Sequence, residues 1–375
     1  MIPIGVIGQK PRAPDSFSSS GIPKGKNMNQ NKKREAILNN NRECILKEVA
    51  SRFGIAVGRL AKLHDSIKID QGKEFIEKSL YEYKRGGKSF LLRLTVPYYV
   101  DFELIKGEAD WINYLADNGI HVPRVIPSLS GKLVEAIEVA DSSLAAVAFE
   151  KVEGRLIDFG NSDEWNTKLF EKYGKAVGKM HVLTKRYEPQ DESFTRMQWY
   201  EQDWFDIDRC LPRSEYIARR KCHDLIRMTH SLPKGRNSYG LIHGDAHPWN
   251  LLVHERNIIL TDFDFCEYSW FVSDIAVALF YALMAPTEGM DKISFARCFM
   301  QNFMRGYSKE NSIEVYWMKH IPTFLRLRMV SKFALHYQEW QSNLMSENRR
   351  TAFLEWKYKI ENDIAYIDID FSEFT

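Results

Sequence analysis

Hydrophobic and polar residues alternate through much of residues 36–153, which is the pattern of β-strands with one buried face. Two alternating runs, 75–83 and 89–96, flank Arg85-Gly86-Gly87-Lys88, and a Gly-Gly pair in that position predicts a β-hairpin. One face of the second run is apolar throughout, so Arg93 is expected on the other face. Two stretches have the helical period instead; the predicted helices span 36–53 and 101–118.

The helical period dominates from residue 154 onward. One interruption, 241–262, has the pattern of a strand, a loop and a second strand. The helices predicted around it span 164–184, 197–208, 214–228 and 274 to the end. The change of pattern near Glu153-Gly154 predicts an α+β protein with a smaller β-rich lobe, 36–153, that contains one long helix, and a larger helical lobe, 154–375.

Residues 1–35 show no hydrophobic period and are rich in Ser, Asn, Gly, Pro and Lys, so we predict a disordered basic tail. This tail holds seven Lys or Arg and two acidic residues, whereas the whole chain has a net charge of only +2. The rest of the chain is therefore slightly acidic. Because a protein that binds nucleic acid needs a basic surface to neutralise phosphates, the charge distribution disfavours such a partner.

The composition also disfavours membranes and secretion. No apolar run reaches the roughly 18 residues that a membrane helix needs, and the N-terminal residues do not resemble a signal peptide. Cysteine occurs five times and never with the Cys-x-x-Cys spacing, which supports neither a zinc site nor a disulfide framework. We therefore expect reduced thiols in a cytoplasmic protein.

One segment carries a chemical signature. His243-Gly-Asp245-Ala-His247-Pro-Trp-Asn250 has the HxDxxxxN spacing of a kinase catalytic loop, and Asp262 follows an apolar run further along. Phosphoryl transfer needs a carboxylate that orients the attacking hydroxyl and accepts its proton, and further oxygen ligands for Mg²⁺. The pattern predicts Asp245 as the catalytic base and Asn250 and Asp262 as metal ligands.

Two other interpretations of this segment stay open. Asp245 and Asn250 can be ordinary capping residues of a turn and a helix. His243, Asp245 and His247 can instead be metal ligands of a hydrolase, since imidazole and carboxylate bind zinc and iron, although no further His or Asp cluster completes such a site. In the kinase hypothesis, His243 is structural and His247 supports the loop.

A second signal lies in the predicted helix 101–118, where Glu108 falls inside the apolar stripe. A carboxylate there is costly unless it is paired, and Arg93 is the natural partner. A basic strand residue bound to a helix glutamate is the arrangement with which kinases hold the α- and β-phosphates. The alternative is an ordinary glutamate at the border of the stripe and a surface arginine. No P-loop motif GxxxxGK[ST] is present, and no GxGxxG precedes Arg93.

These motifs resemble the aminoglycoside phosphotransferase and choline/homoserine kinase-like family, a branch of the protein-kinase-like fold. Closest in appearance are the bacterial stress-response kinase and spore-coat-kinase groups. The resemblance covers about residues 36–340. It is carried by HGDAHPWN at 243–250, TDFDF at 261–265, SDIA at 273–276 and GKAVGKMH at 174–181.

The resemblance implies a bilobal protein-kinase-like fold, with ATP and Mg²⁺ as cofactors. It supports the roles of Asp245, Asn250 and Asp262, and it implies that Arg93 and Glu108 position the phosphates. By the same resemblance, Asp274 braces the catalytic loop. The connector 149–152, with Glu150 and Val152 as its candidate residues, binds adenine through backbone groups.

We therefore expect an enzyme that moves the γ-phosphate of ATP to a hydroxyl of a small molecule such as an aminoglycoside, choline or homoserine, and that acts as a monomer or homodimer. Two alternatives are a Ser/Thr protein kinase of the stress-response type and a nucleotide-binding pseudokinase without catalysis. The sequence does not name the acceptor. Aromatic and charged residues that could face it, but that are equally well explained as helix packing, are Trp199, Tyr200, Trp204, Asp206, Asp208, Arg326, Arg328, His336, Tyr337 and Trp340.

Overall fold

The structure is a computed structural model that describes residues 41–56, 58–70, 73–96, 101–139, 142–255, 257–286, 289–342 and 345–374. The predicted tail, 1–35, lies outside the described residues. The described chain divides into two compact units. The first runs up to Gly154 and includes Glu188–Arg196, and the second contains Arg155–Tyr187 and the chain from Met197 onward.

In its described residues, the first unit is an antiparallel sheet with two helices. Its strands pair in the order β1-β2-β3-β6-β4, and β5 also pairs with β6. In chain order its elements are α1 (Arg42–Phe53), β1 (Ala61–Asp70), β2 (Lys73–Arg85), β3 (Lys88–Thr95), α2 (Phe102–Asp117), β4 (Val125–Ile126), β5 (Glu135–Val139) and β6 (Ser142–Glu150).

The predicted hairpin joins β2 to β3. Arg85 pairs with Lys88, and Gly86 and Gly87 both have positive φ angles, 57° and 79°. A two-residue turn with two positive φ angles matches the twist of the flanking strands, and glycine adopts it without strain. The prediction of a hairpin at this position is confirmed.

The two faces of β3 have different neighbours. Phe90, Leu92 and Leu94 belong to a core that also contains Val49 and Phe53 of α1. Since side chains alternate across a strand, Arg93 points away from this core, where it meets α2. The predicted division of β3 into an apolar face and a face bearing Arg93 is therefore confirmed.

The second unit is mainly helical and has two small antiparallel sheets, one of order β10-β9-β7 and one that pairs β11 with β8. Its strands are β7 (Arg155–Leu156), β8 (Tyr239–Ile242), β9 (Leu251–His254), β10 (Asn257–Leu260) and β11 (Glu267–Trp270). Its helices are α3 (Thr167–Thr184), α4 (Ile207–Cys210), α5 (Tyr216–His230), α6 (Phe271–Ala282), α7 (Lys292–Tyr307), α8 (Val315–Met318), α9 (Ile321–Gln341) and α10 (Glu347–Glu361).

The prediction of one helix over 197–208 is wrong. Two single 3₁₀ turns, Trp199–Glu201 and Asp203–Phe205, precede the short α4, and Gln202 between them has an extended backbone. Trp199 packs on Trp270 at 5.9 Å between ring centroids, and Trp204 packs on Phe265 at 5.5 Å. Burying both rings on different neighbours breaks the helical path, which is a tertiary effect that outweighs local propensity.

Strand β11 is not predicted from the sequence, in which no element is assigned between Asp262 and the helix expected from 274. It has four residues and pairs with β8, from Glu267 opposite Ile242 to Trp270 opposite Tyr239. A strand this short is defined by its partner and has too few residues to show a period of its own. The following helix begins at Phe271, close to the predicted start at 274.

Helices α3 and α7 lie in backbone contact. A Cβ atom on Gly174 would lie 1.8 Å from the carbonyl oxygen of Phe303, and one on Gly306 would lie 1.7 Å from that of Glu171. Any other residue at these two positions would force the helices apart. The close approach fixes the position of α3, whose last turns contain His181.

The five cysteines form no disulfide bond with one another. Within the described part of the chain, no helix combines the length and the apolar character that crossing a bilayer requires.

Candidate active site

The predicted catalytic loop, 243–250, connects β8 to β9 in the second unit. Gly244 has φ +73°, and a Cβ atom there would lie 2.3 Å from the carbonyl oxygen of Phe265. Only glycine allows this approach. The loop is thereby pressed against the segment that follows β10, which contains Asp262.

Asp274, in the first turn of α6, supports the loop from a fully buried position. Its carboxylate accepts hydrogen bonds from the backbone N–H groups of His243 at 3.0 Å and Gly244 at 2.9 Å. His181 Nε2 lies 3.2 Å from the same carboxylate, and its Nδ1 lies 2.9 Å from the hydroxyl of Tyr307. Burial lowers the pKa of His181, so the neutral ring donates to Asp274 and accepts from Tyr307.

His243 joins the loop to the end of β10. Its Nε2 donates to the carbonyl oxygen of Thr261 at 3.1 Å, its Nδ1 accepts from the N–H of Asp245 at 3.4 Å, and its ring packs on Phe263. Burial lowers the pKa of His243, which keeps the ring neutral. Because both ring nitrogens are used, His243 has no nitrogen to offer a metal. Among the described residues, no group of three or more His, Cys, Asp or Glu could hold a metal ion.

Asn250 and Asp262 are brought together by the β9–β10 hairpin, in which Leu251 pairs with Leu260. Thr261 donates through its N–H (3.0 Å) and its hydroxyl (2.9 Å) to the carbonyl oxygen of Asn250. Asn250 donates through Nδ2 to the carbonyl oxygen of Asp245 at 3.0 Å, which leaves its Oδ1 as the atom available to a cation. Asp262 is buried and has φ +67°, a strained conformation of the kind that concentrates at functional sites.

The carboxylate of Asp245 meets side chains that the sequence analysis did not place there. Oδ1 accepts from Arg328 Nη2 of α9, and Oδ2 lies 3.4 Å from His247 Nε2. Arg328 also donates to the hydroxyl of Tyr281 at 2.9 Å, and Lys332 lies one turn further along α9, with its ammonium 5.5 Å from the centre of the Tyr281 ring.

These neighbours determine the charge of Asp245. Burial acts to raise the pKa of Asp245, whereas His247, Arg328 and Lys332 act to lower it, and the net direction is well below its usual range. Burial lowers the pKa of His247 to about 3, so that ring is neutral at pH 7. The guanidinium of Arg328 is therefore the positive charge that directly contacts Asp245.

A weak signal for Lys332 and Arg328 is present in the sequence. Both lie four residues apart in α9, which is otherwise largely apolar and buried. This is the same signal that drew attention to Glu108, a charge inside an apolar stripe. From the sequence alone, Arg328 is only one of the possible acceptor-side residues, and Lys332 has no assigned role.

In the first unit, Arg93 and Glu108 form the expected pair. Arg93 Nη1 donates to Oε1 at 2.9 Å and Nη2 donates to Oε2 at 2.8 Å, and the exposed fractions of the two side chains are 6% and 3%. The guanidinium also lies 5.2 Å from the centre of the Phe149 ring. The alternative of a border glutamate and a surface arginine is therefore wrong.

Comparison with known proteins identifies the family. The sequence model of the phosphotransferase enzyme family (APH) matches residues 77–306, more than half of the chain. The chain belongs to this family. An amicoumacin kinase of Bacillus subtilis (strain 168) is 31% identical over 332 residues, which cover 88% of this chain and 95% of that protein. The predicted resemblance is confirmed, and so is the prediction that the chain is a kinase.

Solved structures agree with this assignment. An amicoumacin kinase in complex with AMP-PNP, Ca²⁺ and Ami superposes with a TM-score of 0.82 and 30% identity, covering 93% of this chain and all of that one. An aminopropanol kinase gives a TM-score of 0.62 at 21% identity over 85% of this chain and 95% of that one. A spectinomycin phosphotransferase superposes with a TM-score of 0.51 at 15% identity, covering 88% of this chain and 96% of that one. The latter two show the fold alone, and the predicted protein-kinase-like α+β fold is confirmed.

Two further residues predicted from the family resemblance lie where β6 ends. The N–H of Glu150 donates to the carbonyl oxygen of Arg124 at 2.8 Å, and its side chain is exposed. Lys151 N–H donates to the carbonyl oxygen of Ser89 at 3.2 Å, and Val152 follows, half-buried and outside any strand. The adenine-binding role of this connector in the phosphotransferase stays a prediction.

The acceptor-side candidates of this phosphotransferase fall into different surroundings. Trp199 is fully buried and packs on other aromatic rings, so helix packing explains it. His336 is also buried, with its Nδ1 3.3 Å from Glu339 Oε2. Among the predicted candidates, Arg328 contacts the carboxylate of Asp245 directly.

Proposed function

We propose that this phosphotransferase transfers the γ-phosphate of ATP to a hydroxyl group of a small molecule in a Mg²⁺-dependent reaction. The observation that carries the proposal is the loop geometry around Asp245, in which Asn250 and Asp262 are held beside the same loop. The similar amicoumacin kinase complex contains an ATP analogue and Ca²⁺. It supports the predicted use of ATP and a divalent cation, and Mg²⁺ as that cation is part of the proposal.

Asp245 is the proposed catalytic base. It orients the acceptor hydroxyl and accepts its proton while the phosphate bond forms. Asp274 and His243 hold the loop backbone, so that the carboxylate is fixed before the acceptor binds.

The residues available for the metal fit a magnesium ion. Mg²⁺ prefers oxygen ligands and commonly uses one or two protein side chains in addition to phosphate oxygens and water. Oδ1 of Asn250 and the carboxylate of Asp262 provide such oxygens, and both side chains are buried. When bound, the ion neutralises charge on the phosphates.

Arg93 is proposed to contact the α- and β-phosphates of ATP. Glu108 bonds both terminal nitrogens of the guanidinium, which fixes its plane and orientation. Arginine keeps its charge under all conditions and can bind phosphate oxygens with geometric specificity. Backbone groups of residues 149–152 are proposed to bind adenine.

The substrate of the similar kinases suggests an acceptor to test. Amicoumacin is the substrate named for the relatives at 30% and 31% identity, so it is the first acceptor to test with this chain. A monomer or homodimer remains the expected assembly.

The proposal is tested by following labelled γ-phosphate from ATP and Mg²⁺ into amicoumacin, a small-molecule extract and a generic protein substrate. We expect label in a small molecule, and Asp245→Asn should reduce the rate about 10²- to 10⁴-fold because the proton acceptor is lost. Binding of AMP-PNP with Mg²⁺ should stay close to that of the unchanged chain. The control is Asp163→Asn, which alters an exposed carboxylate of the same unit.

Other outcomes distinguish the alternatives. Label in the protein substrate would instead favour a Ser/Thr protein kinase. Nucleotide binding without transfer to any acceptor would favour a pseudokinase. Full activity of Asp245→Asn would contradict the assignment of the base.

A further inference from the structure

Residues Glu188–Arg196 belong to the first unit, although the chain on both sides of them belongs to the second unit. We call this segment the strap. Every residue of the strap is described, and none lies in a helix or a strand. Most of its side chains are exposed, whereas Arg196 is buried. Because an exposed polar segment gains little from apolar burial, specific contacts must hold it in place.

The buried Arg196 binds the backbone of α2. Its Nη1 donates to the carbonyl oxygen of Leu104 at 2.7 Å. In an α-helix this carbonyl also accepts from the N–H four residues further on, which is that of Glu108, and a carbonyl oxygen has a second lone pair for the guanidinium. The strap is thereby fixed to the same turn of α2 that holds Glu108.

Gly107 lets the backbone of the strap approach α2 closely. A Cβ atom on Gly107 would lie 2.3 Å from the carbonyl oxygen of Thr195 and 3.1 Å from its backbone nitrogen. Any side chain at this position would displace the strap or the helix. Gly107 directly precedes Glu108, so the close approach sets the position of the turn that carries the partner of Arg93.

Two polar contacts extend the strap along the helix. The N–H of Gln190 donates to Asp110 Oδ2 at 3.3 Å, and the hydroxyl of Ser193 donates to Glu103 Oε2 at 3.0 Å. Glu103, Gly107 and Asp110 follow one another at intervals of four and three residues, so they lie on one side of α2. The strap therefore holds this side of the helix over about two turns.

The Arg93–Glu108 pair needs a helix that is held in this way. Both terminal nitrogens of the guanidinium bond the carboxylate, and a rotation or a shift of α2 would break that geometry. Glycine is a poor helix former, so Gly107 in the middle of α2 favours the contact with the strap over the stability of the helix itself.

We propose that the strap positions α2, and that Arg196 and Gly107 are positioning residues for nucleotide binding. They act through Glu108, which orients the guanidinium of Arg93 toward the phosphates of ATP. This inference rests on the proposed phosphate contact of Arg93. Loosening the strap weakens nucleotide binding without removing any group that is proposed to contact the nucleotide.

The test measures the affinity for AMP-PNP with Mg²⁺ by isothermal titration calorimetry in Arg196→Met and Gly107→Ala. Each variant should bind about fivefold more weakly, which is the size of effect expected for residues that act through others. Arg196→Lys keeps a charged donor and should recover part of the loss. Gly107→Ala is the sharper variant, because alanine favours the helix itself and only the close approach is disturbed.

A double-mutant cycle separates positioning from a general loss of stability. The background is Arg93→Met/Glu108→Met, in which the pair that depends on α2 is absent. Adding Arg196→Met or Gly107→Ala to this background should change the affinity for AMP-PNP by no more than about twofold, because the route from the strap to the phosphates is already removed.

Arg85→Met is the matched control. Arg85 Nη1 donates to the carbonyl oxygen of Phe53, the last residue of α1, at 3.0 Å, so the variant removes the same kind of bond from the other helix of this unit. It should leave the affinity within about twofold of the unchanged chain. The melting temperature verifies that each variant is folded. If Arg196→Met does not fold, Gly107→Ala and Arg196→Lys replace it.

Two results would overturn the inference. One is an unchanged affinity for AMP-PNP in Gly107→Ala and in the folded variants of Arg196. The other is an equal loss of affinity with and without the Arg93–Glu108 pair, which would mean that the strap affects the nucleotide by another route. If instead Arg93→Met/Glu108→Met binds AMP-PNP as tightly as the unchanged chain, the proposed phosphate contact itself fails, so the two failures are distinguishable.

Discussion

Each unit of the molecule contains a buried arginine–carboxylate pair, and the two pairs differ in construction. Arg93 and Glu108 lie 15 residues apart and share two hydrogen bonds, one to each carboxylate oxygen. Arg328 and Asp245 lie 83 residues apart and share one, while the arginine also binds Tyr281 and approaches Gly244. Both oxygens of one acid bind the first arginine, whereas the second arginine is divided among several acceptors.

The difference indicates which pair is permanent. Two parallel hydrogen bonds fix the plane of both groups, and breaking them leaves both charges buried. A single hydrogen bond restrains the carboxylate less, and another hydrogen bond can replace it. We infer that Arg93–Glu108 maintains a shape, whereas Arg328–Asp245 is suited to exchange.

The largest effect is expected from breaking the permanent pair. Arg93→Met leaves the Glu108 carboxylate buried without its partner, and breaking a buried pair in this way costs about 3–5 kcal/mol of unfolding free energy. The variant also loses the contact of the guanidinium with the Phe149 ring. Urea unfolding monitored by circular dichroism measures the loss.

The matched control is the double variant Arg93→Met/Glu108→Met, which removes both charges. It should recover most of the stability, because apolar residues of similar size can replace a buried pair at little cost. Its affinity for AMP-PNP should stay below that of the unchanged chain, since the proposed phosphate contact is gone. A loss below about 1 kcal/mol in the single variant would mean that the pair behaves like a surface salt bridge.

The second prediction concerns Lys332, the charge beside the exchangeable pair. Its side chain is buried, and among the described residues its ammonium has no hydrogen-bond or ion-pair partner. Burial, with a contribution from Arg328, lowers the pKa of Lys332 to about 7. The unfolded chain therefore binds more protons than the folded chain between about pH 7 and the ordinary lysine pKa near 10.4, so this group makes stability rise with pH across that window.

Lys332→Met should accordingly stabilise the protein most at or below pH 7, by about 4 kcal/mol, and the gain should shrink toward pH 10. Urea unfolding at several pH values measures the difference between the two chains. Asp245 and Glu339 oppose the shift, and Arg349 adds to it, so their charges must stay constant over the range studied. Lys168→Met, at an exposed position, is the control, and a gain that does not vary with pH would contradict the prediction.

The ability of the sequence to predict these sites depended on whether the signal was local. The β2–β3 hairpin and the HxDxxxxN loop are encoded in consecutive residues, and the structure has both. Glu108 was noticed because a charge inside an apolar stripe needs a partner, and Arg93 lay close in sequence. Lys332 breaks the apolar pattern of α9 in the same way and could have been noticed.

Other features depend on packing between distant segments. Arg328 reaches Asp245 only because α9 packs beside α6. The hydrophobic pattern of neither helix predicts that contact. The breaks around Gln202 follow from the separate burial of Trp199 and Trp204. The positive φ of Asp262 likewise cannot be predicted from propensity, because most aspartates have a negative φ even though aspartate adopts positive values more often than most residues.

The smallest effect is expected from Tyr281→Phe, which changes one contact of Arg328. Tyr281→Phe removes the hydroxyl that accepts from Arg328 at 2.9 Å but keeps the aromatic ring, whose centre lies 5.1 Å from the guanidinium carbon. Losing one hydrogen bond to a charged group should lower the free energy of unfolding by about 1.5 kcal/mol. Urea unfolding measures the change. Tyr337→Phe, which removes a hydroxyl bonded to Glu215 at 2.9 Å, is the matched control. An unchanged free energy of unfolding in Tyr281→Phe would show that this hydroxyl does not hold Arg328 in place.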